Sequence, residues 1–112
     1  MHVVPGLQRS DLWSSVPPDL RAEALRLDEG EGNVAEDAYP VGQADQVLLL
    51  LSEAAVVVLG GDFYEVSNGR PHPTGMNWYY EGTEAAASVR KARQALGERW
   101  VDPNWFVSFV WR

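Results

Sequence analysis

Cysteine is absent from the 112 residues, which removes disulfides, zinc ribbons, iron–sulfur sites and a thiol nucleophile together. Histidine is scarce. His2 stands near the start and His72 between two prolines, neither with a partner at ligand spacing, so both read as solvated and no metal site is expected. Long apolar runs are missing too: the longest, Val47 to Leu59, is interrupted by Ser52 and Glu53 and falls short of the ~20 residues a membrane-spanning helix needs. The opening Met1-His2-Val3-Val4-Pro5-Gly6 has no basic segment leading into an apolar core, so no secretory signal is expected and the chain reads as cytoplasmic. GxGxxG, GxxxxGK[ST] and GxSxG do not occur. An EF-hand counted from Asp28 fails because Gly30 and Gly32 stand where side-chain oxygens are required. No spacing singles out one carboxylate pair for acid–base work among the sixteen acids, and Gly60-Gly61-Asp62-Phe63 shares too little with GGDEF synthases to carry their chemistry. No catalytic residue, metal or cofactor is expected.

Positive charge is missing from the middle of the chain. From Leu27 to Gly69 there are nine acids and no Lys or Arg, whereas residues 88–112 carry an excess of three positive charges and the whole chain a net −7. Such a surface repels phosphate backbones, because nucleic-acid affinity rests largely on Lys and Arg displacing condensed cations. Nucleic acid and membrane are therefore not expected partners. A basic protein is the partner such a field would attract, although the acids would also serve simply to keep a small domain in solution.

Apolar residues are plentiful, at 46% with five Trp, four Tyr and three Phe, so a buried core is expected in one domain spanning residues 1–112. Leu20, Ala24 and Leu27 after Pro17-Pro18 predict a first helix stopped by Gly30 and Gly32, followed by an exposed acidic loop from Asp28 to Asp37. Ala44, Val47, Leu48 and Leu51 give a second, central helix over about 43–53. Val56 to Leu59 and Asp62 to Val66 read as extended structure around a Gly60-Gly61 bulge, with a turn at Asn68-Gly69 lengthened into a loop by Pro71, Pro73 and Gly75. Met76 to Glu81 is the partner strand. A third helix runs from Glu84 to about Leu96, capped by Thr83 and stopped by Gly97, and Trp105, Val107, Phe109 and Trp111 alternate on a last strand. The fold class is α+β: a small, mainly antiparallel sheet of about three strands in the order 2-1-3, packed with about three helices.

The succession of an Ala/Leu-rich helix, Val58-Leu59-Gly60-Gly61-Asp62-Phe63-Tyr64, a Gly/Pro/Thr loop, Asn77-Trp78-Tyr79, a helix near Ser88-Val89 and an apolar final strand resembles the immunity protein 40 type of bacterial toxin-immunity families. The resemblance covers about residues 43–111. It implies a non-catalytic protein that binds a cognate toxin domain in the producing cell's cytoplasm and neutralises it by occlusion. A basic, nuclease-like toxin would suit the acid block.

On that reading the partner-binding residues are Glu36, Asp37, Asp45, Asp62, Tyr64, Glu65, Asn77 and Tyr79. Trp78, Tyr79 and Tyr80 are consecutive on one strand and cannot all face the core; Trp78 and Tyr80 read as packing residues, while Tyr79 and Asp62 are open to either role. Two other readings stand beside it. One is a small-molecule-binding or catalytic domain with a pocket lined by Tyr64, Trp78 and carboxylates. The other is a scaffold that homodimerises through an open edge on its last strand; the oligomeric state is left between monomer and homodimer.

Overall fold

A computed structural model describes residues 7–28 and 35–112, without the side chains of Asp28, Ala35 and Glu36. Its elements run α1 (Arg9–Ser15), α2 (Pro18–Glu23), β1 (Leu25–Asp28), β2 (Ala35–Pro40), a short 3-10 turn (Val41–Gln43), α3 (Ala44–Glu53), β3 (Val58–Ser67), β4 (Arg70–Tyr79), α4 (Ala85–Leu96) and β5 (Phe106–Trp111). The class is mixed α and β, but among the described residues the sheet has five strands where about three were expected, and four α-helices pack with it where about three were expected. The strand order is β1-β2-β5-β3-β4, with every neighbouring pair antiparallel. The expected 2-1-3 arrangement survives inside it as β4-β3-β5.

The differences have local causes. α2 starts at Pro18 as expected, but the backbone turns extended at Ala24, and Leu25 and Leu27 alternate around Arg26 on β1. In so short a window the spacing of Leu20, Ala24 and Leu27 fits a helix, yet pairing of Leu25 with Ala38 and Leu27 with Glu36 decides for a strand. β2 therefore occupies part of the expected acidic loop; Glu29 and Glu31 of that loop lie outside the described residues. Asn68 and Gly69 both take positive φ, 54° and 74°, and close a tight hairpin between Ser67 and Arg70. Pro71 and Pro73 then sit inside β4, not in a loop, because β4 ends the sheet and its outer side needs no donor. A bulge at Thr74–Met76 is pinned by the Thr74 hydroxyl, which donates to the Phe63 carbonyl at 2.9 Å and accepts from the Met76 N–H at 3.0 Å.

The last strand is not an edge. β5 lies between β2 and β3, so it offers no open side for homodimerisation.

All four helices feed one core on one side of the sheet: Leu12 of α1, Leu20 of α2, Ala44, Val47, Leu48 and Leu51 of α3, and Val89, Ala92 and Ala95 of α4 meet Val58, Phe63, Trp78, Val107 and Phe109. Phe63 is its aromatic centre, with ring centroids of Trp78, Trp100 and Trp105 at 5.6, 5.5 and 5.9 Å. Ser88 crosses this layer: its buried hydroxyl donates to the Ala85 carbonyl at 2.6 Å and accepts from the Val58 N–H at 2.9 Å, latching α4 to β3. Among the described residues no helix is long and apolar enough to cross a membrane.

Candidate functional site

The opposite side of the sheet carries a second, smaller cluster built from strand residues alone: Leu27, Ala38 and Tyr64, flanked by Leu25 and Phe106. Among the described residues no helix contributes to it. Alternation from Phe63 and Gly61 on the core side puts Asp62 and Tyr64 on this helix-free face. Register then adds their neighbours. Asp62 pairs with Asn77 on β4 and Ser108 on β5, and Gly60 pairs with Tyr79 on β4 and Val110 on β5. Tyr79, at the end of the edge strand β4, is 72% exposed, and Val110, on the inner strand β5, is 42% exposed.

Gly60 makes the centre of this face hollow. A Cβ there would stand 2.3 Å from the Trp78 carbonyl oxygen, so the close approach of β3 to β4 admits only glycine, and the result is a groove of about 150 Å³ between Tyr79, Val110 and Asp62. Gly61 does the same on the core side, where its missing side chain is replaced by the Trp78 ring. The Gly-Gly pair thus seats an indole beneath the sheet and opens a hollow above it.

The eight residues singled out in the sequence do not form one patch. Asp62, Asn77 and Tyr79 share the helix-free face, with Tyr64 on the same face but buried against Phe106 and Ala38. Glu65 is exposed near the tip of the β3–β4 hairpin. Asp45 lies on the helix layer, where Arg93 of α4 donates Nε to its Oδ1 at 2.7 Å. Asp37 alternates to the core side and faces Arg26, whose Nε is 3.5 Å from Oδ1, an ion pair across a gap longer than a good hydrogen bond. The Glu36 side chain lies outside the described residues. Two acids of the block are therefore neutralised by arginines from the flanking segments. Tyr64 and Trp78, which a small-molecule pocket would share, lie on opposite faces. Gly60 and Val110 are the residues that sequence reasoning missed, although the alternation of Val107, Phe109 and Trp111 already turned Val110 outward.

Burial raises the Asp37 carboxyl above its ordinary range, against the pull of Arg26 and Arg9. The neighbouring Tyr39 phenol is pushed far upward by burial and, secondarily, by Asp37, so it stays neutral. A carboxyl with a raised folded value holds its proton more tightly in the native state than in the unfolded one, so stability falls as pH climbs from the unfolded value through the folded one and is level above both. Asp37→Asn is expected to remove this fall. Urea unfolding of wild type and variant should give a difference that changes just above the ordinary carboxylate range and is constant from there to neutrality; a difference flat across that range would contradict the buried, proton-retaining Asp37.

These features define a class: a small α+β domain whose helices, among the described residues, all pack on one side of an antiparallel sheet, with the other side as its candidate binding surface. A family model described as Immunity protein 40 matches residues 29–110, more than half of the chain, and the protein belongs to that family. No curated protein and no solved structure matches it.

Proposed function

We propose that this immunity protein binds a cognate toxin domain through the helix-free face of its sheet and neutralises it by occlusion, without making or breaking a bond. The observation that carries this reading is the gathering of Asp62, Asn77 and Tyr79 around the Gly60 hollow, where the tyrosine is 72% exposed. Exposed Tyr beside a small hollow is the kind of residue that concentrates binding energy at interfaces. Tyr64 shores the face from below, while Glu65, next along β3, alternates to the opposite side and belongs to the exposed hairpin tip. The net charge of −7 favours a basic toxin, nuclease-like in charge, met in the cytoplasm where both are made.

Co-expression with the toxin domain encoded beside it tests the reading. A stoichiometric complex that abolishes the toxin's activity is expected, with association slowed by added salt more than dissociation is hastened. Unimpaired toxin activity in the presence of excess folded protein would overturn it.

A further inference from the structure

β4 is an outer strand of the sheet, and its two halves treat the open side differently. Successive residues of an antiparallel strand turn their backbone N–H and C=O alternately toward the neighbouring strand and away from it. The two-residue turn at Asn68-Gly69 makes Ser67 and Arg70 a mutually hydrogen-bonded pair, so Pro71 and Pro73 are the residues that face outward in the first half. Neither has an N–H to present. A proline at each outward position denies an added strand its donors there.

Past the Thr74–Met76 bulge this guard is missing. Tyr80 donates its N–H inward to the Leu59 carbonyl at 2.8 Å, which makes Trp78 inward as well and leaves Asn77 and Tyr79 pointing out. Each brings one donor and one acceptor to the open side, where both side chains are exposed and where, among the described residues, no further strand follows. What matches two such donor–acceptor pairs at strand spacing is another extended backbone.

That backbone has two sources, a second copy of this chain or the toxin. A second copy paired across Trp78 would share only Asn77 to Tyr79 from each chain, because the prolines bar one direction and β4 ends at Tyr79 in the other. So short an overlap falls far below the ~1,200 Å² of a stable interface, and each copy would bring a net charge of −7 against the other. A basic segment gains from the same charge. Glu81 and Glu84, both exposed, follow directly after Tyr79, with Arg70 at the opposite end of β4 and Arg112 on the far side of β3. Asn77 and Tyr79 also belong to the proposed toxin face, so a toxin segment laid along this edge continues it.

We propose that the Asn77–Tyr79 edge of β4 takes an extended, basic segment of the toxin as an added strand. This deepens the immunity reading and rests on it for the identity of the partner.

Amide hydrogen exchange on the isotope-labelled full chain, alone and bound to the co-expressed toxin domain, reads the edge directly. In the free protein the Asn77 and Tyr79 amides are expected to exchange fast beside slow Trp78 and Tyr80, and in the complex to slow by about a hundredfold or more. On the toxin, the amides that slow with them should lie on one extended segment carrying Lys or Arg. Asn77→Pro removes an outward N–H on which no bond within the sheet depends, whereas Asn77→Thr keeps it and loses the same side-chain amide. The proline variant is expected to bind the toxin about tenfold more weakly than the threonine variant, the cost of one lost backbone hydrogen bond and its stranded partner. Should the proline variant not fold, the exchange measurement on the wild-type complex decides alone. Equal affinities of the two folded variants, Asn77 and Tyr79 amides that stay fast in an intact complex, or a free chain that dimerises through this edge in sedimentation would each overturn the proposal. An intact toxin complex with an unprotected edge removes the added strand alone; failure of the wild type to form any toxin complex removes the immunity reading and this proposal with it.

Discussion

Tyr79→Ala is expected to weaken the toxin complex by about thirtyfold or more, the effect of losing a central aromatic worth ~2 kcal/mol at an interface. The isolated protein should hardly notice. Tyr79 is 72% exposed and belongs to neither buried cluster, so its removal should change folding stability by no more than about 0.5 kcal/mol. Asp62→Arg should act on the same complex through encounter: a cation placed on the face opposes a basic partner, lowering the association rate and weakening its salt dependence. Asp45→Ala is the matched control. Its carboxylate is also acidic and exposed, but it is paired with Arg93 on the helix layer, so affinity for the toxin should be unchanged. Calorimetry or surface kinetics on the four proteins decides the matter, and an Asp45 effect as large as that of Tyr79 would move the docking face to the helices.

Phe63→Ala should cost about 3–5 kcal/mol, the usual result of emptying a large buried aromatic site. Phe63 is buried at the point where Trp78, Trp100 and Trp105 converge, and rings cannot collapse inward without losing their tilted and edge-on contacts. Against a total of ~5–15 kcal/mol for a domain, that is a large share, and the melting temperature should fall by at least about 12 °C. Gly60→Ala should be damaging for a different reason. Its Cβ would meet a backbone oxygen at 2.3 Å, which no side-chain rotation relieves, so strands β3 and β4 must part and a loss of about 1–3 kcal/mol is expected. Thermal and urea unfolding measure both. A Phe63→Ala loss under 1 kcal/mol would contradict a core organised on that ring.

How much of this was legible in the sequence follows the strength of the local signal. α3 was readable because Ala44, Val47, Leu48 and Leu51 repeat over a full helix, and β5 because its alternation is long and apolar. The Asn68-Gly69 hairpin announces itself chemically, since both residues tolerate the positive φ that the turn requires. α1 was not readable: it is seven residues with one buried side chain, Leu12, too few for a period to show. β2 was hidden for the opposite reason. Ala35-Glu36-Asp37-Ala38 has little intrinsic preference for extended structure and becomes a strand because β1 pairs along it while β5 holds the following Tyr39 and Pro40, which only the tertiary arrangement supplies. The site divides in the same way. Alternation through Trp78-Tyr79-Tyr80 was enough to raise Tyr79 as a surface candidate and left Asp62 open to either role, whereas the hollow between them exists only through the register of three strands around Gly60. The fate of Asp37 and Asp45 was likewise invisible, because their arginines come from distant segments.

Placing every helix on one side of the sheet separates two kinds of inheritance. Residues such as Phe63 and Ser88 answer to folding, while Tyr79, Asn77 and Val110 project from the reverse side and owe the fold little. On the proposed reading, a change in the second group alters what the sheet can bind at small thermodynamic risk to the first. The bare reverse of the sheet is in that sense a replaceable lock plate on a permanent door.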